Sequence, residues 1–193
     1  MKLNKFLGFI ALPFLAVTLV AQEVEEVVIT GSYIKSSPTD GASPVEIIGR
    51  DEIDNLNATT IADITANIAV NSGSENNTDS FTQGATQGSS NINLRGLGLS
   101  STLVLIDGKR QTLYSASGND GSVFVNTSAI PVIALDRVEV LKEGAASIYG
   151  SDAVAGVVNY ILRKDFTGLE IEASSQEADI SGQTDDRLGA IWG

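Results

Sequence analysis

Asn91-Ile-Asn-Leu-Arg-Gly-Leu-Gly98, followed by Leu103-Val-Leu-Ile-Asp-Gly-Lys-Arg110, is the stretch whose reading decides the fold. The second half is an apolar strand that must reverse at Asp107-Gly108, a strong short-range hairpin signal. A second block, Arg137-Val-Glu-Val-Leu-Lys-Glu-Gly144, runs on through Ile148-Tyr-Gly-Ser-Asp-Ala-Val-Ala-Gly-Val-Val-Asn159. Both blocks place charge inside otherwise apolar strands: Arg95 in the first, Arg137 and Glu139 in the second. Residues two apart share one face of a strand, so Arg137 and Glu139 flank Val138 on a common side. Burying such a charge without a partner is costly.

Working outward, Pro44–Ile48 reads as a first strand, and Asp51–Asn57 and Thr59–Ile68 as two short helices. In the second helix Thr59 or Thr60 can cap, and Ile61, Ile64 and Ile68 recur at helical spacing, which marks a core stripe. Asn71–Ser90 is rich in Ser, Asn, Gln, Thr and Gly, with Phe81 its only large apolar residue, and reads as a long loop that cannot bury itself. Thr102–Leu113 is the hairpin, Ser115–Ser122 a second polar loop. Ile130–Leu135 leads into a strand at Arg137–Leu141, and Ala153–Leu162 supplies another. Gly144, Gly150 and Gly156 recur every six residues, through turns or close backbone approach, and Tyr149 is expected as a core anchor. The sum is a small α+β domain with a mixed sheet and short helices.

Beyond Gly168 the pattern changes. Leu169, Ile171 and Ala173 alternate with Glu170, Glu172 and Ser174. After a polar turn, Leu188, Ala190 and Trp192 alternate with Gly189 and Ile191. Alternation of this kind suits a strand pair with two different surroundings, as at the start of a transmembrane barrel, although a soluble hairpin would look the same.

Composition excludes several functions. The 193 residues carry 12 basic and 24 acidic side chains, a formal charge of −12, and nucleic-acid phosphate would be repelled. Cysteine and histidine are absent, which removes thiol chemistry, Cys/His zinc sites and histidine triads. No Gly-x-Ser-x-Gly elbow occurs. Gly96-Leu-Gly98 lacks the third glycine of a dinucleotide loop, since Ser101 stands there. Asn119-Asp-Gly121 lacks the rest of a calcium loop. No catalytic residue, metal site or cofactor is expected. Asp107, Asp120 and Glu143 form no recognisable catalytic constellation.

The N-terminus has the form of an export signal. Lys2 and Lys5 precede an apolar run from Phe6 to Val20, then Ala21 and the acidic Gln22-Glu-Val-Glu-Glu26. The run spans only roughly 22 Å as a helix and holds Gly8 and Pro13, short for a membrane span. Cleavage after Ala21 would leave 10 basic against 24 acidic residues, because Lys2 and Lys5 depart with the leader.

The order and content of the two blocks resemble the plug domain of TonB-dependent outer-membrane receptors, over most of the chain from about Glu25 to Asp165. The resemblance implies four segments: a signal peptide at 1–21, a TonB box and flexible tether at 22–43, the plug at 44–166, and the first strands of a β-barrel at 167–193. Receptors of this family are several times longer, so the chain reads as an N-terminal fragment. They reside in the outer membrane, with the plug inside the barrel and the box facing the periplasm.

Glu25-Glu26-Val27-Val28-Ile29-Thr30-Gly31 is similar to the TonB box. Val27 to Thr30 favour an extended strand and Gly31 permits exit from it. Such a strand can add to a sheet of the TonB C-terminal domain, which the ExbB/ExbD motor energises; an ordinary first plug strand is the other reading. By the same resemblance Arg95, Arg137 and Glu139 are plug–barrel charge contacts that seat the plug, against local pairing at the sheet surface. Glu75, Asp79, Phe81 and Tyr114, on loops that face outward in this family, are candidates for a small-molecule ligand, against a solvated linker. The implied function is energy-coupled uptake of a scarce nutrient, whether iron–siderophore, cobalamin, carbohydrate or peptide. The rival from another class is a free-standing periplasmic binding module that does not transport.

Overall fold

A computed structural model describes residue 30 and residues 45–75, 86–143, 145–177 and 184–193. The export signal, the box apart from Thr30, the tether, Asp79, Phe81 and Gly144 lie outside the described residues.

Among the described residues the sheet begins with β1, Val45–Ile48. Two short helices follow, α1 at Arg50–Asn55 and α2 at Ile61–Ala66. Thr60 caps α2: its hydroxyl accepts from the Asp63 N–H, and the Asp63 carboxylate accepts from the Thr60 N–H in return. This reciprocal box satisfies donors that the first turn leaves open. Ile61, Ile64 and Ile68 are buried together, as their spacing predicts.

The hairpin follows with β2, Thr102–Ile106, and the very short β3, Lys109–Arg110. Asp107 and Gly108 both adopt positive φ, 50° and 75°, the signature of a two-residue primed turn. β4 spans Leu135–Leu141, α3 is one turn at Ala146–Tyr149, and β5 spans Gly156–Leu162. The expected strand at Ala153–Leu162 starts later than its sequence suggests, because Ser151–Ala153 forms a 3₁₀ turn. Ile130–Leu135 likewise contains a 3₁₀ turn at Val132–Ala134.

These strands build a five-stranded mixed sheet in the order β1-β4-β5-β2-β3. β2 and β5 run parallel; the other neighbours are antiparallel. A register shift between Leu135 and Arg137 turns Leu135 to the same apolar side as Val138 and Val140. On that side Val104, Val158 and Tyr160 join them beneath Ile53, Ile61 and Ile64 of the helices. On the opposite side a smaller cluster gathers Leu103, Leu105, Leu141 and Val157 against Ala145 and Ala153.

Two expectations are corrected here. Part of the polar loop is buried after all: Thr86, Ser89, Ser90 and Asn91 are almost fully covered. Hydrogen bonds make that tolerable. The Ser90 N–H donates to Asn126 Oδ1, the Ser90 and Thr127 hydroxyls meet at 2.7 Å, and the Thr127 N–H donates to the Ser90 carbonyl. Tyr160 is fully buried in the core and Phe124 nearly so, whereas Tyr149 is only partly covered beside the smaller cluster.

Gly156 has φ 138°, and a Cβ there would stand 2.6 Å from the Leu141 carbonyl oxygen and 2.7 Å from Leu94. Close packing inside the plug sheet therefore requires glycine at this position. Gly150, at φ 88° with open space around it, serves a turn.

The last two strands, β6 at Leu169–Glu177 and β7 at Thr184–Trp192, pair with each other as a separate antiparallel ribbon. Leu169, Ile171, Leu188 and Trp192 on one face are 63% to 83% exposed. The other face lies toward the plug: Gly189 sits over Ile133, and Arg187 Nη1 donates to the Thr59 carbonyl at 3.2 Å.

Candidate functional site

One polar cluster lies at the middle of the sheet. Ile47, Glu139, Asn159, Leu105 and Arg110 are register partners that cross all five strands. Glu139 and Asn159, on β4 and β5, two of the three strands with a neighbour on each side, have no exposed surface. Side-chain alternation puts them on the side of the smaller apolar cluster.

Thr30 is seated on this pair. Its N–H donates to Glu139 Oε2 at 2.9 Å and its hydroxyl donates to the same oxygen at 2.5 Å. The other carboxylate oxygen, Oε1, accepts from Arg137 Nε at 3.0 Å and Nη2 at 2.9 Å. Asn159 Nδ2 donates to the Thr30 hydroxyl oxygen at 2.9 Å, while Asn159 Oδ1 accepts from the Gly108 N–H at 2.9 Å. A continuous run of hydrogen bonds therefore links the hairpin turn, the sheet centre and the residue expected at the end of the TonB box. Bonds to an ionised acceptor are the stronger kind, and losing a donor to a buried carboxylate is expensive.

The expected charge residues are all engaged within the plug. Arg137 pairs with Glu139 and also with Asp136 at 2.7 Å. Arg95 does not lie in a strand: it follows the isolated bridge between Asn71 and Leu94, at φ 58°. Its guanidinium reaches the carbonyls of Val154 at 2.8 Å and Ala155 at 3.2 Å, just ahead of β5. Side chains thus stitch the two motif blocks together: Arg95 and Asn159 do so, and Arg110 pairs with Asp152 at 2.6 Å. Asp107 also reaches the end of β5, accepting from the Leu162 N–H at 3.1 Å.

The two described loop candidates, Glu75 and Tyr114, each have partners of their own. Glu75 accepts the Asn119 N–H with both carboxylate oxygens, at 2.9 and 3.2 Å, tying the two polar loops to each other. Tyr114 stacks on Phe124 at 5.4 Å, and its N–H donates to the Phe124 carbonyl. Asp120 is held below the usual carboxylate range by the hydroxyl and the N–H of Ser122.

At the ribbon, Arg163 bonds Glu170 at 2.9 Å and lies 4.6 Å over the Phe166 ring. That bond raises the Arg163 guanidinium from its ordinary value. Between ribbon and plug runs an open groove of about 350 Å³ whose walls include Ala58, Pro131, Glu172 and Arg187. Among the described residues no group of three or more acidic side chains is placed to hold a metal ion, and no helix is long and apolar enough to cross a membrane.

Comparison with known proteins agrees with this geometry. The model of the TonB-dependent receptor plug domain matches residues 37–157. The chain belongs to the TonB-dependent receptor plug family. Its structure is similar to that of the siderophore receptor PirA from Acinetobacter baumannii, at 27% identity and a TM-score of 0.55, over 76% of this chain and 21% of that one. An enterobactin-bound mutant of the ferric enterobactin receptor PfeA from Pseudomonas aeruginosa shares 24% identity, over 79% of this chain and 22% of that one, with a TM-score of 0.53. The FpvAI–pyocin S2 complex matches at 18% identity and a TM-score of 0.56, over 77% of this chain and 17% of that one. The chain spans about a fifth of the length of these receptors.

Within this plug the sequence reading missed Asn159. A signal was present: an asparagine inside Val157-Val158-Asn159-Tyr160-Ile161, an otherwise apolar strand, requires a dedicated partner if buried. Nothing in the sequence alone said that the partner would be Thr30, 129 residues earlier.

Proposed function

We propose that this chain is the exported N-terminal part of an outer-membrane receptor that imports a scarce nutrient by coupling to TonB. Residues 1–21 direct export, residues 22–43 carry the box and tether, the plug occupies 44–166, and β6 and β7 open the barrel. The observation that carries this reading is the two-faced ribbon. Leu169, Ile171, Leu188 and Trp192 point away from the plug while the other face rests on it, as expected where lipid lies on one side and a filled lumen on the other. A free periplasmic module would leave that apolar face in water.

Ligand bound at the outward loops, with Glu75, Asp79, Phe81 and Tyr114 as contacts, would bias presentation of residues 25–31 to the periplasm. TonB, driven by the ExbB/ExbD motor, would pair with that strand and pull. Arg95, Arg137 and Glu139 would help seat the plug in the barrel. PirA is a siderophore receptor and PfeA a ferric enterobactin receptor, so a ferric siderophore is the cargo to test first, ahead of cobalamin, carbohydrate or peptide. The plug itself makes and breaks no bonds in this scheme.

The test is binding of the TonB C-terminal domain to the chain with Val28→Pro. Proline removes a main-chain donor from the strand, and binding should vanish while the thermal melt stays unchanged. Undiminished binding would remove the box from residues 25–31.

A further inference from the structure

We infer that the flank of the plug is a platform on which the β6–β7 ribbon folds before any further barrel strand is present. The use of that platform in barrel assembly rests on the reading of the ribbon as the start of the barrel. The platform itself does not.

A two-stranded ribbon alone is marginally stable in water. This one has no core of its own, because Leu169, Ile171, Leu188 and Trp192 on its outward face are uncovered. The inward face differs. Glu170, Ser174, Arg187, Gly189 and Ile191 are each partly covered, whereas Ile171, Ala173, Leu188, Ala190 and Trp192 between them are exposed. Glu172, also on the inward row, is exposed where it lines the open groove. The surface that covers this row belongs to the plug, and the order of the ribbon comes from there.

The contacts are asymmetric, which sets the direction of this support. The groups the plug offers are already fixed by the plug. The Arg163 N–H donates to the Ala134 carbonyl at 2.9 Å and its Nη1 to the Ile133 carbonyl at 3.2 Å, leaving Nη2 for Glu170 at 2.9 Å. The Thr59 N–H and hydroxyl both donate to Asp63 Oδ2, so the Thr59 carbonyl that accepts from Arg187 is held at the start of α2. Ile133, which meets Gly189, is 6% exposed. A partner held in place beforehand loses less freedom on contact than one that must be ordered. The plug therefore orders the ribbon rather than the reverse. Once paired, β6 and β7 each keep one open edge, and an open edge is a template for another strand. The platform thus presents the first hairpin of the barrel ready for extension on both sides.

The test is hydrogen exchange on the purified chain in buffer without lipid or detergent. The ladder amides of β6 and β7 should be protected, though less than those of β4 and β5. Glu170→Thr combined with Arg187→Thr keeps strand propensity but shortens both side chains that reach the plug. Exchange in the ribbon should then rise by about tenfold, with β4 and β5 unchanged. Ala173→Pro, which unpairs the ribbon itself, should likewise leave β4 and β5 protected. Unprotected ribbon amides in the wild-type chain overturn the platform, and so does protection that survives the double substitution. Loss of protection in β4 and β5 on Ala173→Pro overturns the direction of support. None of these failures touches the barrel reading, because a hairpin that forms only with later strands still opens a barrel.

Discussion

The two faces of the plug sheet are built on different principles. On one, Val104, Val138, Val140, Val158 and Tyr160 pack under Ile53, Ile61 and Ile64, and the contacts are apolar almost throughout. On the other, Leu105, Leu141 and Val157 form a cluster, but the row beside it is interrupted by Glu139 and Asn159, both fully buried. Apolar packing is non-directional and gains roughly in proportion to the area covered. A buried carboxylate and amide are tolerable only while specific donors and acceptors stand in place. The first face stabilises the plug whatever the rest of the receptor does. The second makes part of that stability conditional on Thr30 and Arg137.

The sharpest way to break this contrast is to remove one partner of the buried charge. Arg137→Met leaves Glu139 with its Oε1 side stripped of the guanidinium, and chemical denaturation should show a loss of about 3–5 kcal/mol. A loss below about 1 kcal/mol would mean that the polar face is no more demanding than an ordinary surface. On the apolar face, Ile64→Ala opens a cavity under a residue with no exposed surface. The expected loss is about 2–4 kcal/mol, and it should leave hydrogen exchange at Thr30 unaffected if the two faces act independently.

A smaller effect tests the helix layer. Thr60→Ala removes the hydroxyl that caps α2 and should cost about 1 kcal/mol, recovered largely by Thr60→Ser.

The smallest effect concerns acid. Because Ser122 lowers the Asp120 carboxyl in the folded loop, the contribution of this pair is complete above the unfolded carboxylate pKa. It fades as pH falls through the lowered folded value. The Ser122 amide signal should titrate in that acidic window, and Asp120→Asn should abolish the titration. A titration midpoint at or above the ordinary carboxylate value would contradict the bonded geometry.

Local patterns made much of this architecture legible. Asp107-Gly108 specified the turn, Ile61, Ile64 and Ile68 the buried stripe of α2, and the alternation after Gly168 the two-faced ribbon. Each depends on neighbours within a few residues, where backbone sterics and side-chain periodicity act directly. Arg95 was misplaced in a strand because an apolar flank on either side looks the same whether the backbone runs straight or turns left-handed. The burial of Ser89 to Asn91 was missed because composition reports polarity, not the availability of Asn126 and Thr127 to satisfy it.

The sequence by itself determined the order of the main strands and of the first two helices and the need for Arg137 and Glu139 to find partners, which follow from local propensity and from the cost of leaving charge in an apolar strand. The likeness of its two motif blocks, not propensity, carried membership in the plug family. Only the tertiary structure decided that Glu139 would share Thr30 with Asn159, and that Asn159 would hold the hairpin turn. Those contacts join residues more than fifty positions apart, and long-range pairing is set by sheet order and register, which no local pattern encodes.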